Sequence, residues 1–130
     1  MNKIYYKITN KDGYYDDHQY IPGLNIADKP LELGYKVRGG LCFTTIEYIF
    51  KFLDDGCFLR EVTLPKNCRW VHDDNRDKFW ADKIILGKRY DLSDPLTFQL
   101  LSERGANIHA FSDRALDWAS KMVIWISSNI

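Results

Sequence analysis

The sequence predicts an α+β fold: a mixed or antiparallel sheet with one or more packed helices, followed by a C-terminal helical hairpin. Three observations carry this expectation. Residues 3–9 (KIYYKIT) and 57–64 (CFLREVTL) alternate with the period of two that a strand requires. Ile46, Ile49, Phe50 and Leu53 recur at i, i+3, i+4 and i+7, the spacing of one buried helix stripe. Asp94-Pro95 then opens a leucine-rich run that Arg104-Gly105 closes, which divides the chain into an α+β domain over 1–90 and a helical unit over 91–130.

Taken in order, the first strand places Ile4, Tyr6 and Ile8 on one face and Tyr5 and Lys7 on the other. A turn cluster at 10–13 follows, and the segment 14–20 (YYDDHQY) is assigned to a loop or an edge strand. Pro22, Gly23, Pro30 and Gly34 punctuate an irregular connection of about fifteen residues, long enough to serve as a binding loop. Leu24, Ile26, Leu31 and Leu33 are expected to pin it to the body. Residues 38–65 form the scaffold. Gly39 and Gly40 suit a tight turn into Leu41-Cys42-Phe43, Thr44 and Glu47 have capping-box spacing, and Gly56 is the expected left-handed helix stop.

In the strand that follows, Phe58, Val62 and Leu64 face one way and Cys57, Leu59, Glu61 and Thr63 the other, and Pro65 ends it. Truncating Phe50 or Val62 to alanine is expected to cost about 2–4 kcal/mol, and Lys51→Ala almost nothing. Residues 67–77 are polar except for Trp70 and Val71 and suggest a loop or hairpin tip; 79–86 (FWADKIIL) suggests a strand or a helix-to-strand passage. Asp94 caps a helix with Pro95 at its first position and a stripe of Leu96, Leu100 and Leu101. Ser112 or Asp113 caps a second helix, carrying Ala115, Leu116, Ala119, Met122, Val123 and Ile126.

Composition limits the function classes. Eighteen basic and eighteen acidic residues cancel, so the chain lacks the field that holds a polyphosphate without specific contacts, and nucleic acid is not an expected partner. No run of about eighteen apolar residues marks a membrane span. Three cysteines at irregular spacing form no disulfide framework, and the amino terminus MNKIYYK does not resemble a secretion signal, so an intracellular setting is expected.

The run LLSERGANIHA at 100–110, continuing to Asp113, Ala115-Leu116 and Ala119, resembles an ankyrin repeat. It lacks the Thr-Pro-Leu-His opening and the glycine after Ser120, and one such unit cannot bury its own faces. The succession KIYYKITNKDG, HQYIPGLNI, GGLCFTTIEYIFKFLDDGCFLREVTLP and ADKIILGKRYDL is similar to the leader domain that precedes ankyrin arrays in the mimivirus group of giant viruses. That resemblance implies a non-enzymatic interaction module with a protein partner, acting in the host cytoplasm or the virion and needing no cofactor.

Trp70, Trp80, Trp118 and Trp125 are the candidate partner-binding anchors, since exposed tryptophans are favoured hot spots. Trp118 and Trp125 flank the last helix stripe, and self-association or partner docking is expected there. The alternative is an ADP-ribosyltransferase-like fold, active or decayed: a strand bearing His18, then Gly39, Gly40 and Phe43 before a helix, is similar to the order that grips nicotinamide dinucleotide in those enzymes. Here Gln19 replaces the glycine expected after the histidine, and no catalytic acid stands in a recognisable motif. Cys57, Cys68 and His72, with Cys42 or His18, lack the close pairs of a zinc site, and Cys42 and Cys57 are expected as small buried hydrophobes. Asp73, Asp74 and Asp77, interleaved with Arg76 and Lys78, suggest a solvated loop.

Overall fold

The computed structural model describes residues 3–15, 18–34, 37–74, 76–107, 120–122 and 124. In chain order these form β1 (Tyr5–Thr9), β2 (Tyr14–Tyr15), β3 (His18–Gln19), β4 (Gly23–Ile26), β5 (Leu41–Phe43), a 3-10 helix (Ile46–Asp55), β6 (Phe58–Thr63), β7 (Trp70–Asp73), β8 (Lys78–Ala81), β9 (Lys83–Asp91) and helix α1 (Pro95–Glu103). The principal sheet has the order β1-β6-β9-β4 and a second has β5-β8-β7. Every strand pairing among them is antiparallel, which decides between the two sheet types the sequence allowed. Reciprocal backbone bonds between Tyr6 and Thr44, each 2.8 Å, join the two sheets at the free edge of β1. On the far side β8 runs into β9 through Asp82, whose amide donates to the Arg69 carbonyl.

The principal sheet is therefore covered on both faces. One face brings Tyr6, Ile8 and Leu59 against Ile49, Phe50 and Leu53 of the 3-10 helix and Phe98 and Leu101 of α1. The other brings Tyr5, Val62, Ile84 and Leu86 against Leu41, Phe43, Phe79 and Ala81 of the second sheet. All five residues of β1 are buried as a result, including Lys7, which alternation places on the face opposite Tyr6 and Ile8. Leu59 and Val62 are both fully buried because alternation along β6 sends them to opposite faces of the sheet, and each face has its own core.

Several local expectations change for the same reason. Thr44 does not cap the helix: its backbone is committed to β1, and its hydroxyl donates to the Asp77 carbonyl at 2.8 Å. Thr45 takes the cap position instead, without a side-chain cap bond, and the helix is 3-10 with a kink at Phe52. Gly56 is extended (φ 165°), not left-handed; its role is close approach to Thr9. Leu24, Ile26 and Leu33 are exposed and only Leu31 of that group is buried, because β4 is held by its ladder to β9 and by the inward Asn25 side chain, which bonds the Ile21 and Gly23 backbone. Trp70 and Val71 lie in a strand, not a hairpin tip, and 79–86 contributes to two strands.

Asp94 caps α1 as the sequence predicts, accepting from the Leu96 amide at 2.9 Å with Pro95 in the first turn. The buried stripe is Thr97, Phe98 and Leu101 and not Leu96, which is 60% exposed. Phe98 turns inward to stack on Phe50 at 6.1 Å, and the Thr97 hydroxyl donates to the Asp91 carbonyl at 2.7 Å. The helix stops at Arg104, and Ala106 and Met122 pack against the first core. The expected cap at Ser112 or Asp113 and most of the second helix lie outside the described residues.

Arg104 also fastens α1 to the sheet, donating to the Tyr6 hydroxyl at 2.8 Å and to Glu61 at 3.0 Å, while the Tyr90 hydroxyl donates to the same Glu61 oxygen at 2.7 Å. Burial by itself would raise the Glu61 carboxyl, but the Tyr90 and Arg104 hydrogen bonds outweigh it and hold it below the ordinary value. A depressed carboxyl stabilises the fold fully above the ordinary glutamate range and loses that contribution as pH falls through the native value. Glu61→Gln should therefore lose less stability than the parent between neutral pH and the acid range; parallel acid-unfolding curves would contradict this.

Candidate functional site

An aromatic row runs from the second core to the surface along the second sheet. Phe43 of β5 stacks on Phe79 of β8 at 5.6 Å, and His72 of β7 stacks on the other side of Phe79 at 4.1 Å with ring planes 3° apart. These contacts follow from register, since Phe79 lies opposite both Phe43 and His72 in the antiparallel ladder. Trp70 lies two residues before His72 on the same face, 6.1 Å from Phe79, and is 50% exposed. β7 is the terminal strand of its sheet among the described residues, so Trp70 and His72 stand at an edge. Sequence reasoning singled out Trp70 but missed the stacked role of His72; the signal was its hairpin register with Phe79.

Trp80 points to the opposite face of β8 and is half-buried, with the Arg76 guanidinium 5.2 Å and the Lys78 ammonium 6.0 Å from its ring. Trp70 and Trp80 thus do not share a surface. Trp118 and Trp125 lie outside the described residues.

The four residues of the alternative reading take separate structural roles. His18 sits on the small β2-β3 hairpin, 3.3 Å from an Asp28 carboxylate oxygen and packed edge-on against Tyr20. Gly39 is left-handed (φ +68°), and a Cβ there would lie 1.9 Å from the Pro30 carbonyl oxygen. Gly40 is left-handed too (φ +71°), and a Cβ there would lie less tightly, 3.0 Å from the Leu31 side chain and 3.1 Å from the Ala81 carbonyl oxygen. Phe43 is buried between Tyr5 and Phe79.

Among the described residues no three His, Cys, Asp or Glu side chains gather into a cation site. His72 pairs with Asp74 at 2.9 Å, Asp73 with Arg76 at 2.7 Å, and Asp77 with Lys51. Cys57 is exposed, contrary to the buried role expected for it, because it precedes β6 at the sheet margin. Cys42 is buried, and the Lys7 ammonium donates to its sulfur at 3.5 Å. Both line a small, partly open cleft of about 20 Å³, room for roughly one water molecule, between β1, β5 and the 3-10 helix, with Phe52, Asp55 and Lys78 among its walls. Thirty-five residues separate Lys7 from Cys42, and no sequence pattern announces the pair. No described helix is long and apolar enough to cross a membrane.

No protein-family model and no solved structure matches the chain. It is similar to proteins of Acanthamoeba polyphaga mimivirus. It is 41% identical to "Putative ankyrin repeat protein R868" over 92% of this chain and 62% of that protein, and 37% identical to "Putative ankyrin repeat protein R229" over 92% of this chain and 44% of that one. The chain thus spans less than two thirds of these ankyrin-named relatives. It is also 38% identical to "Uncharacterized protein R869" over 90% of this chain and 88% of that relative. With most of both lengths matched, the chain belongs to the mimivirus protein family of R869, and the greater part of it is also homologous to mimivirus proteins that carry the ankyrin repeat name.

Proposed function

We propose that this chain is a non-enzymatic protein-interaction module, built as the leader domain that precedes an ankyrin array in the longer relatives, and that the β7 edge around Trp70 contacts a protein of the infected host. The observation that carries the reading is the half-exposed Trp70 on a strand that is terminal among the described residues, set against the buried Phe79 ring. A rigid aromatic anchor loses little conformational freedom on binding, and a terminal strand offers backbone groups to an extended partner segment. Residues 91–130 then serve as the ankyrin-like unit packed on the domain. The capped α1, its stop at Arg104-Gly105 and the contacts of Ala106 and Met122 with the first core support that assignment.

The test is capture of proteins from an Acanthamoeba lysate by the full chain, followed by affinity measurement with the purified partner. Trp70→Ala should weaken binding by about 30-fold, the scale of a hot-spot truncation, with little change in melting temperature. Unchanged affinity would remove Trp70 from the interface. Saturable binding of nicotinamide dinucleotide that disappears in His18→Ala would instead favour the ADP-ribosyltransferase-like reading.

A further inference from the structure

Lys7 and Cys42 form a buried polar contact between side chains. Both side chains are almost wholly buried, at 4% and 5% exposure, and they belong to strands that meet at the junction of the two sheets. The amine and the sulfur are already 3.5 Å apart, and the cleft they line opens to solvent. The Tyr20 ring lies 4.4 Å from the Lys7 nitrogen and restricts where the amine can go. We infer that Lys7 and Cys42 form an oxidative modification site, in which a hydroperoxide converts the contact into a covalent nitrogen–sulfur bridge between β1 and β5.

The chemistry balances with hydrogen peroxide as the oxidant. The Cys42 sulfur attacks one peroxide oxygen; the S–O bond forms, the O–O bond breaks, and the departing hydroxide takes the thiol proton and leaves as water. Sulfur is oxidised to the sulfenic acid and peroxide is reduced. The neutral Lys7 amine then attacks that sulfur with its lone pair; the N–S bond forms, the S–O bond breaks, and hydroxide leaves with an amine proton as a second water. Peroxide is scarcely larger than water, and the cleft that Lys7 and Cys42 line has room for a molecule of about that size. Burial is the main influence on the Lys7 ammonium: it pushes the group below its ordinary value and favours the neutral amine that the second step uses, while Cys42 opposes it and favours the charged form. Asp55 also favours the charged form and Lys78 disfavours it, so the cleft holds one acid against a second base. Attack by an external thiol on the bridging sulfur returns the amine and makes the link reversible.

The experiment uses the full chain carrying Cys57→Ser and Cys68→Ser, which leaves Cys42 as the sole thiol and excludes disulfides within the chain. After treatment with hydrogen peroxide, intact mass should fall by two hydrogens, and proteolytic mapping should recover a peptide joining Lys7 to Cys42. Dithiothreitol should restore both the mass and the separate peptides, and Lys7→Arg should abolish the bridge while leaving Cys42 to advance to the sulfinic acid. Three results would overturn the inference: Cys42 remaining a free thiol, sulfinic acid forming with Lys7 intact, or a species heavier by one oxygen and lighter by two hydrogens, which is an N–O–S link. The peptide map on the chain with Lys7 in place decides the question by itself if the arginine variant does not fold.

Discussion

Phe50→Ala is expected to lower the free energy of unfolding by about 3–4 kcal/mol, a large fraction of the stability of a domain of this size. Phe50 is 1% exposed at the centre of the first core, and its ring stacks on Phe98 at 6.1 Å with planes 18° apart. Truncation removes apolar contact from the 3-10 helix, the principal sheet and α1 together, and it also loses the ring-on-ring term. The neighbouring Lys51→Ala should change stability by less than about 0.5 kcal/mol, since its pair with Asp77 lies at the surface. Urea unfolding of the two variants checks this, and similar midpoints for both would contradict the placement of the helix.

Gly56→Ala is expected to cost about 3 kcal/mol or to prevent folding, although the backbone there is extended and any residue could adopt it. The cost is steric. A Cβ at this position would lie 2.0 Å from the Thr9 carbonyl oxygen and 2.6 Å from the Asn10 nitrogen. Backbone atoms cannot rotate away as a side-chain tip can, and the same carbonyl accepts the Cys57 amide at 3.0 Å, so relief would break the bond that starts the β1-β6 ladder. Gly34→Ala is the control, since an added Cβ there meets nothing within 4 Å. Thermal melts should separate the two, and a Gly56→Ala midpoint within a degree or two of the parent would refute the close approach.

Gly56 is a place where sequence and structure part. A glycine after a helix suggests a left-handed stop, but at Gly56 the demand comes from a strand nearly fifty residues away. The same holds for Thr44. Its spacing from Glu47 fits a capping box, yet the pairing of its backbone with Tyr6 takes it into the sheet junction and shifts the helix start. Local patterns report the options of a short segment, and long-range hydrogen bonds choose among them. Where the local demand is strong, as at Asp94-Pro95, the expectation and the structure agree.

The candidate surface divides similarly. Trp70 stood out in sequence because it interrupts a polar stretch, but its exposure depends on β7 being a terminal strand. Trp80 stood out equally and lies on the other face, under Arg76 and Lys78. His72 and the Lys7–Cys42 pair gave no signal, since each acquires its role from a partner brought across a ladder or a sheet junction.

By itself, then, the sequence determined a strand ending at Thr9, the apolar stripe of Ile49, Phe50 and Leu53 and the capped α1, because each is written in residues close together in the chain. Only the tertiary structure decided that the sheets are antiparallel, that β1 is buried on both faces and that Lys7 lies against Cys42. Those depend on which strands pair and how the two sheets cover each other, and the free energy that fixes such choices comes from contacts between residues far apart in sequence.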